Sequence, residues 1–200
     1  MYSDRIHHAL AFAAKHYPEP VSRYDGQSCL IRASSIAVML ARYGAVEATI
    51  VASILKHLYD ACPHSRLDSL AREIITKFGP EVAFVVDAAV EPRFDVLGRE
   101  RTWKACRFEH LAELAAGSPT AVDVCVATEM HRIGAALVSI RRLGVEYMDT
   151  VGVPTAEETL WWLDAFGQTL RSHPAWRRTD MLSDFHRLAT ELSRQLSEAV

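Results

Sequence analysis

The sequence has few cysteines, and their spacing does not suit a shared site. Cys29, Cys62, Cys106 and Cys125 are widely scattered, and no C-x-x-C pair occurs among them. In a chain of 200 residues, this spacing excludes a disulfide framework and the common zinc motifs. We therefore expect four reduced, mostly buried thiols in a protein of the cytoplasm.

Long apolar runs and an excess of positive charge are also absent. The longest uncharged stretches, such as 33–41, fall well short of the roughly 20 residues that a membrane span needs. Asp4 and Arg5 precede any apolar stretch, which does not suit a secretory signal. The 22 Lys and Arg residues against 25 Asp and Glu residues give a net charge of −3, which argues against non-specific nucleic-acid binding. We expect a soluble protein without a membrane or nucleic-acid partner.

The rest of the composition is typical of one globular domain. Half of the residues are hydrophobic and 24% are charged, and a chain of this size folds without a metal or disulfide. Hydrophobic residues recur with a helical period, for example at Val51, Ile54, Leu55 and Leu58. No segment shows the sustained alternation of a strand. The sequence therefore predicts an all-α fold, a single bundle of about eight helices over residues 1–200.

Cap and break residues predict where these helices begin and end. The predicted helices span about 3–16, 30–43, 46–59 and 65–78, then one from 80, one over 118–143, one from 155 to before Pro174, and one from 179. Ser65 with Asp68, and Thr155 with Glu158, have the spacing of capping boxes. Residues 91–98 are predicted to form a loop.

Six segments between about Ile6 and Leu143 form a recognisable series. They are ALAFAAKH, RYDGQSCLIRASSIAVMLARYG, ATIVASILKHLYDA, FGPEVAFVVDAAVEPR, RERTWKACRFEHLAEL and VCVATEMHRIGAAL. Their order and spacing resemble the HD-domain superfamily, most closely the (p)ppGpp hydrolase domain of RelA/SpoT proteins and their small stand-alone relatives. The resemblance implies an HD-like core over 1–143. Residues 144–200 then complete the bundle or pack on a partner.

Four positions at which this family holds its metal carry other residues in this chain. The resemblance aligns Arg32 with a ligand histidine, Lys56 and His57 with the His-Asp doublet, and Thr128 with the last ligand aspartate. Arginine is permanently cationic and lysine usually is, so both repel a divalent ion. The resemblance therefore implies the fold without its metal cofactor, as in a pseudoenzyme that has lost phosphohydrolase chemistry.

Cations at former ligand positions predict an anion site. Arg32 offers a planar fork of donors and Lys56 a point charge, and both suit phosphate. Arg23 matches a basic family position near the nucleotide base, where it can stack. The predicted ligand-binding residues are Arg23, Arg32, Lys56, His57, Asp60, Thr128 and His131. We expect this set to bind a guanine nucleotide or another phosphorylated small molecule, without hydrolysis and in a regulatory role.

One alternative fills the same space with protein. Arg32 and Lys56 can pair with Asp60 or Glu129 and plug the former cavity, because buried charges need partners. The chain would then be a structural or interaction protein that retains the HD scaffold. The sequence does not decide between this alternative and the anion site.

A second alternative is a rebuilt metal site. His57 and Asp60 are three residues apart and can share a helix face, and His131 is three residues after Thr128. If these three side chains converge, they can hold a metal. His57 and Asp60 would then be the candidate catalytic residues of a metal-dependent phosphohydrolase.

Aromatic residues near the C-terminus suggest a contact surface. Trp161 and Trp162 are adjacent, so on a helix they point about 100° apart. One belongs to the core, and the other faces the C-terminal helix, a second copy or a protein partner. The run HPAWRRTD combines Trp176 with Arg177 and Arg178, and we predict a solvated turn there instead of a nucleic-acid site.

Overall fold

The computed structural model describes residues 3–16, 28–149 and 154–197. The α-helices in these ranges are α1 (Asp4–His16), α2 (Cys29–Arg42), α3 (Glu47–Ala61), α4 (Leu67–Phe78), α5 (Pro80–Ala89), α6 (Trp103–Ala116), α7 (Pro119–Leu143), α8 (Ala156–Ser172) and α9 (Thr179–Ser197). Two 3₁₀ turns, His64–Arg66 and Val145–Asp149, join them. Extended pairing in the described residues is limited to one bridge between Phe94 and Glu100. The all-α prediction is confirmed, with nine described helices instead of about eight.

Local signals place most helix ends correctly. Thr155 accepts a hydrogen bond from the Glu158 amide, while the Glu158 side chain accepts one from the Thr155 amide, so this capping box is confirmed. Gly79 ends α4 with a positive φ of 89°, a conformation that glycine adopts without steric strain. The predicted cap at Ser65 is wrong. A 3₁₀ turn follows Pro63, and α4 begins after Arg66 without a side-chain cap.

Helix α3 is the central element. Every residue from Ala48 to Leu58 is buried, as expected for a helix that is packed on all sides. It contacts α1, α2, α4, α5 and α7. Lys56 and His57 lie on its last two turns, so the packing of α3 decides where their polar groups can emerge.

The C-terminal helices pack on the rest of the chain. Helix α9 contacts α7 and α8, and α8 contacts α6. The Phe166 ring on α8 lies 5.2 Å from Trp162 and 5.3 Å from Phe185 of α9, measured between centroids. Buried residues from all nine helices form one hydrophobic cluster. Residues 154–197 thus contribute to the same core as α1–α7.

The turn between α8 and α9 is built around a buried polar contact. Trp176 is buried, and its indole N–H donates to Asp123 Oδ1 at 2.7 Å. Arg178 donates to Asp123 Oδ2 at 3.2 Å and to the Tyr43 carbonyl at 2.6 Å. Arg177 is exposed, as expected for a solvated turn, but Trp176 is buried, because Asp123 on α7 supplies the partner that local sequence does not reveal.

The composition predicts free cysteines and no membrane-spanning helix. No disulfide joins the four cysteines; Cys106 and Cys125 are buried, and Cys29 and Cys62 are half-buried. None of the described helices combines the length and apolar character needed to cross a lipid bilayer.

We expect Asp123→Ala to lower the free energy of unfolding by about 3 kcal/mol, because it leaves the buried Trp176 N–H without an acceptor and removes the partner of Arg178. Asp123→Asn keeps an acceptor for Trp176, so we expect it to lower the free energy of unfolding by only about 1 kcal/mol. Urea denaturation measures both values. The exposed Asp87→Ala on α5 is the control. Equal stability of Asp123→Ala and the wild type would contradict the role of this contact.

Candidate functional site

A cavity of about 440 Å³ lies between α2, α3, the loop before α6, and helices α6 to α9. Six of the seven predicted ligand-binding residues line it: Arg32, Lys56, His57, Asp60, Thr128 and His131. The remaining one, Arg23, lies outside the described residues. The sequence-derived set is thus brought to one place, while ligand binding by it stays a prediction.

The cavity has a polar wall and an apolar wall. The polar wall consists of the six residues above with charged side chains from the α5–α6 loop, α6 and α7. The apolar wall is formed by Trp103, Ile133, Met148, Pro154, Leu163 and Leu192. The lining thus combines many charged side chains with apolar ones, and it is more polar than that of most small-molecule sites. It suits a ligand that carries both charged and apolar groups.

Asp60 gathers the polar groups at the end of α3. Its Oδ2 accepts a hydrogen bond from His57 Nδ1 at 2.9 Å and lies 3.7 Å from Lys56 Nζ. Lys56 and His57 are only 3% and 4% exposed, so both need such a partner. The i,i+3 and i,i+4 spacing of these residues on one helix makes the arrangement possible.

Neighbouring charges set the protonation of this group. Burial raises the pKa of Asp60, but Lys56, the hydrogen bond from His57 and Arg32 together hold that pKa well below its usual range. Burial lowers the pKa of His57, and Lys56 and Arg32 lower it further against the opposing effect of Asp60. At neutral pH Asp60 is therefore a carboxylate and His57 a neutral imidazole.

The loop between α5 and α6 adds two arginines. Arg93 donates to the carbonyls of Tyr59 and Asp60, at 3.2 Å and 2.5 Å, and so caps the C-terminus of α3. Its other terminal nitrogen lies 3.2 Å from Glu100. Arg101 pairs with Glu109 of α6. Cations at the C-terminus of a helix are favoured by its dipole, so this loop is held over α3.

Arg107 of α6 is a buried cation. Its Nη1 donates to Glu91 Oε1 at 2.6 Å, and its guanidinium lies 4.4 Å from the ring centroid of Trp162 and 5.4 Å from that of Trp103. Burial raises the pKa of Glu91, but Arg107 and then Lys56 outweigh it and lower that pKa to about 2. The Arg107 Nε has no hydrogen-bond partner among the described groups.

Helix α7 supplies the remaining polar wall. Glu129 is buried and pairs with Arg132 at 2.6 Å. The Thr128 hydroxyl donates to the Val124 carbonyl one turn earlier, at 2.7 Å. His131, on the same helix, also lines the cavity. The Thr128 hydroxyl thus donates within its own helix, but its oxygen can still accept a hydrogen bond.

These contacts bear on the plugged-cavity alternative. Lys56 does pair with Asp60, as that alternative expects, whereas Glu129 pairs with Arg132. The pairing leaves a cavity of about 440 Å³. Side chains therefore neutralise one another along the wall without filling the space.

The structure does not assemble the rebuilt metal site. His57 and Asp60 share a hydrogen bond, but no group of three His, Cys, Asp or Glu side chains within 3–16, 28–149 and 154–197 is arranged to hold a metal. His131 therefore does not complete a ligand set with them. Arg32, Lys56 and Thr128, which the resemblance aligns with ligand positions, offer no anionic donor. The loss of the metal that the family resemblance implies stays a prediction.

Sequence reasoning missed several charged residues of the cavity. They are Glu91, Arg93, Glu100, Arg101, Arg107 and Arg132. All of these lie within family-like segments, but no spacing in those segments indicates which side chains face the cavity. The approach of the α5–α6 loop to α3 decides this.

The tryptophan pair divides as expected for adjacent helical residues. Trp162 is 1% exposed and belongs to the core. Trp161 is half-buried, 4.9 Å from the ring of Phe108 and 6.1 Å from that of Trp103. Phe108 is itself 56% exposed. A homodimer or partner contact at this helix stays a prediction.

Comparisons with known structures concern the fold. The crystal structure of lmo0812 from Listeria monocytogenes EGD-e matches with a TM-score of 0.65 and 16% identity, over 82% of this chain and 99% of that chain. A metazoan ortholog of SpoT that hydrolyzes ppGpp and plays a role in starvation responses matches with a TM-score of 0.69 and 16% identity, over 98% of this chain and 97% of that chain.

No family model and no curated protein matches this sequence. At 16% identity, the structural likeness extends to the backbone arrangement and not to the chemistry of individual side chains. The chain therefore has the all-α fold of a SpoT-like ppGpp hydrolase, as the resemblance predicted.

Proposed function

We propose that this chain is a pseudoenzyme of the ppGpp-hydrolase fold that binds a phosphorylated ligand, with a guanine nucleotide as the first candidate. The cavity binds the ligand without metal-dependent hydrolysis. Its occupancy then follows the concentration of the ligand, which is the property a sensor or regulator requires.

The charge of the cavity carries this proposal. Among its described lining residues are six cations and four carboxylates, in a protein of net charge −3. The cations are Arg32, Lys56, Arg93, Arg101, Arg107 and Arg132, and the carboxylates are Asp60, Glu91, Glu100 and Glu129. A cleft with such an excess concentrates positive potential and attracts anions. Arginine in particular suits phosphate, because its planar donors bind two oxygens at once.

Size and unsatisfied polar atoms also support a ligand. A volume of about 440 Å³ lies within the usual range for small-molecule sites. Two of the lining side chains, His57 and Arg107, have a buried nitrogen without a partner among the described groups. Such atoms are rare in folded proteins and are expected to bind water or a ligand. The apolar wall at Trp103 gives a nucleotide base a surface to stack on.

The loss of hydrolysis follows from the same residues. An HD metal site needs histidines and carboxylates that converge on the ion, whereas Arg32, Lys56, His57 and Thr128 occupy those positions. Arg32, Lys56 and Thr128 provide neither a carboxylate nor an imidazole, the two kinds of ligand that such a site uses. Metal-dependent activation of water therefore has no ligand set in the proposed site.

We expect isothermal titration calorimetry with GDP to give a dissociation constant of about 1 mM or lower, and Arg32→Ala to weaken it at least about tenfold through loss of a phosphate donor. Arg72→Ala removes an exposed arginine of α4 outside the cavity, so its affinity should equal that of the wild type. The absence of GDP binding at about 1 mM would overturn the proposed function. Equal losses in both variants would indicate a general charge effect.

Metal analysis of the purified protein tests the alternative phosphohydrolase. We expect no stoichiometric manganese, zinc or iron by mass spectrometry, and no release of phosphate from GDP or ppGpp in the presence of added Mn²⁺. The physical reason is that Arg32 and Lys56 repel a divalent ion where the family binds one. One metal ion per chain that is lost in His57→Ala or Asp60→Ala would favour the rebuilt site instead.

A further inference from the structure

The four described carboxylates that line the cavity differ in how far they are exposed. The Glu129 side chain is 6% exposed, that of Glu91 26% and that of Asp60 35%. The side chain of Glu100 is 69% exposed, and it pairs with Arg93. Because ion pairs at an exposed position are only weakly stabilised, Glu100 is the carboxylate of this set that another anion displaces most easily.

Arg93 is fixed independently of Glu100. Its Nη1 donates to the carbonyls of Tyr59 and Asp60 at the end of α3, and its guanidinium lies 5.0 Å from the ring centroid of Phe94. The other terminal nitrogen, Nη2, donates to Glu100 Oε1 at 3.2 Å. The Arg93 side chain is 30% exposed and lines the cavity, so a ligand can reach this guanidinium. Arg93 is therefore an oriented donor whose carboxylate partner is exchangeable.

The loop keeps its backbone when the Glu100 side chain turns away. The Arg101 amide donates to the Arg93 carbonyl at 2.8 Å, and a bridge joins Phe94 with Glu100. The His64 ring lies 5.1 Å from the ring of Phe94, between centroids. These contacts involve the backbone and the Phe94 ring, so none of them requires the Glu100 carboxylate.

Three other cations of the wall are less available than Arg93. Lys56 and Arg107 are 3% and 7% exposed. Arg132 is more accessible, but its Nε and Nη2 both donate to Glu129 Oε1. A ligand that drew Arg132 away would leave Glu129 as a buried, unpaired carboxylate, which is strongly unfavourable. Glu100, by contrast, is exposed enough to be solvated when its partner binds another anion.

Resting on the proposed function, we propose that Arg93 Nη2 binds a phosphate group of the ligand in the place of the Glu100 carboxylate. Glu100 is then an internal competitor that lowers the affinity of the site for anions. A terminal phosphate carries nearly two negative charges and three acceptor oxygens, whereas Glu100 carries one charge, and this difference favours the exchange. Arg93 thereby becomes a ligand-binding residue of the site, and Glu100 sets how strongly charged an anion must be to bind there.

Calorimetric titration with GDP tests the competition. We expect Glu100→Gln to bind GDP about three- to fivefold more tightly than the wild type, because it removes the competing charge and keeps the size of the side chain. Glu81→Gln removes the same charge from an exposed position of α5 outside the cavity lining. Its affinity for GDP should equal that of the wild type.

A double-mutant cycle tests whether the gain acts through Arg93. Arg93→Ala should weaken GDP binding at least about tenfold through loss of a phosphate donor. In that background Glu100→Gln should lose most of its effect, because the carboxylate no longer shares a cation with the ligand. Circular dichroism reports whether Arg93→Ala folds. If it does not, the comparison of Glu100→Gln with Glu81→Gln alone decides.

The outcomes separate the two proposals. If GDP binds neither the wild type nor Glu100→Gln, the proposed function fails and the inference fails with it. If GDP binds the wild type and Glu100→Gln binds it no more tightly, only the role of Glu100 and Arg93 is overturned. Equal gains in Glu100→Gln and Glu81→Gln would reduce the effect to net charge and overturn the competition. An equal gain from Glu100→Gln with and without Arg93 would assign the phosphate to another cation.

Discussion

Helix α3 is buried on all sides from Ala48 to Leu58, yet it must carry Lys56 and His57. Burial of a cation and an imidazole is tolerable only with partners, and Asp60 supplies one on the next turn. Arg93 then binds the carbonyls at the end of the same helix. The polar wall of the cavity therefore begins where the central helix emerges from the core. The loop before α6 is held there by its contacts with that helix end.

The charged residues of the cavity follow a common pattern. Each lining carboxylate has a basic partner, and the cations still outnumber the carboxylates. Arg107 lies against two tryptophan rings, where its charge is stabilised without a second carboxylate. A scaffold that attracts phosphate through a metal ion would lose that attraction if the residues that bind the metal were replaced. Under the proposed function, side-chain cations provide the attraction instead, so that binding would persist without hydrolysis.

The success of sequence reasoning depended on how local each interaction is. The capping box of Thr155 and Glu158 lies within four residues and was predictable. The bond between Trp176 and Asp123 joins residues 53 positions apart, so no local pattern indicates it. Arg107 faces the cavity because α6 packs on α8 and the α5–α6 loop, and helical period alone does not select that face. The predicted residues that line the cavity are those at or beside the positions that the resemblance aligned with ligands.

The sequence by itself determined the helical period, the all-α class and the chemistry available at the aligned positions, including the cations Arg32 and Lys56. These properties depend on residue identity and short spacings, which the chain states directly. Only the tertiary structure decided that the cavity stays open beside the Lys56–Asp60 pair, and that the α5–α6 loop brings Arg93 to the end of α3. Such outcomes depend on distances between side chains of different helices, and helix packing sets those distances.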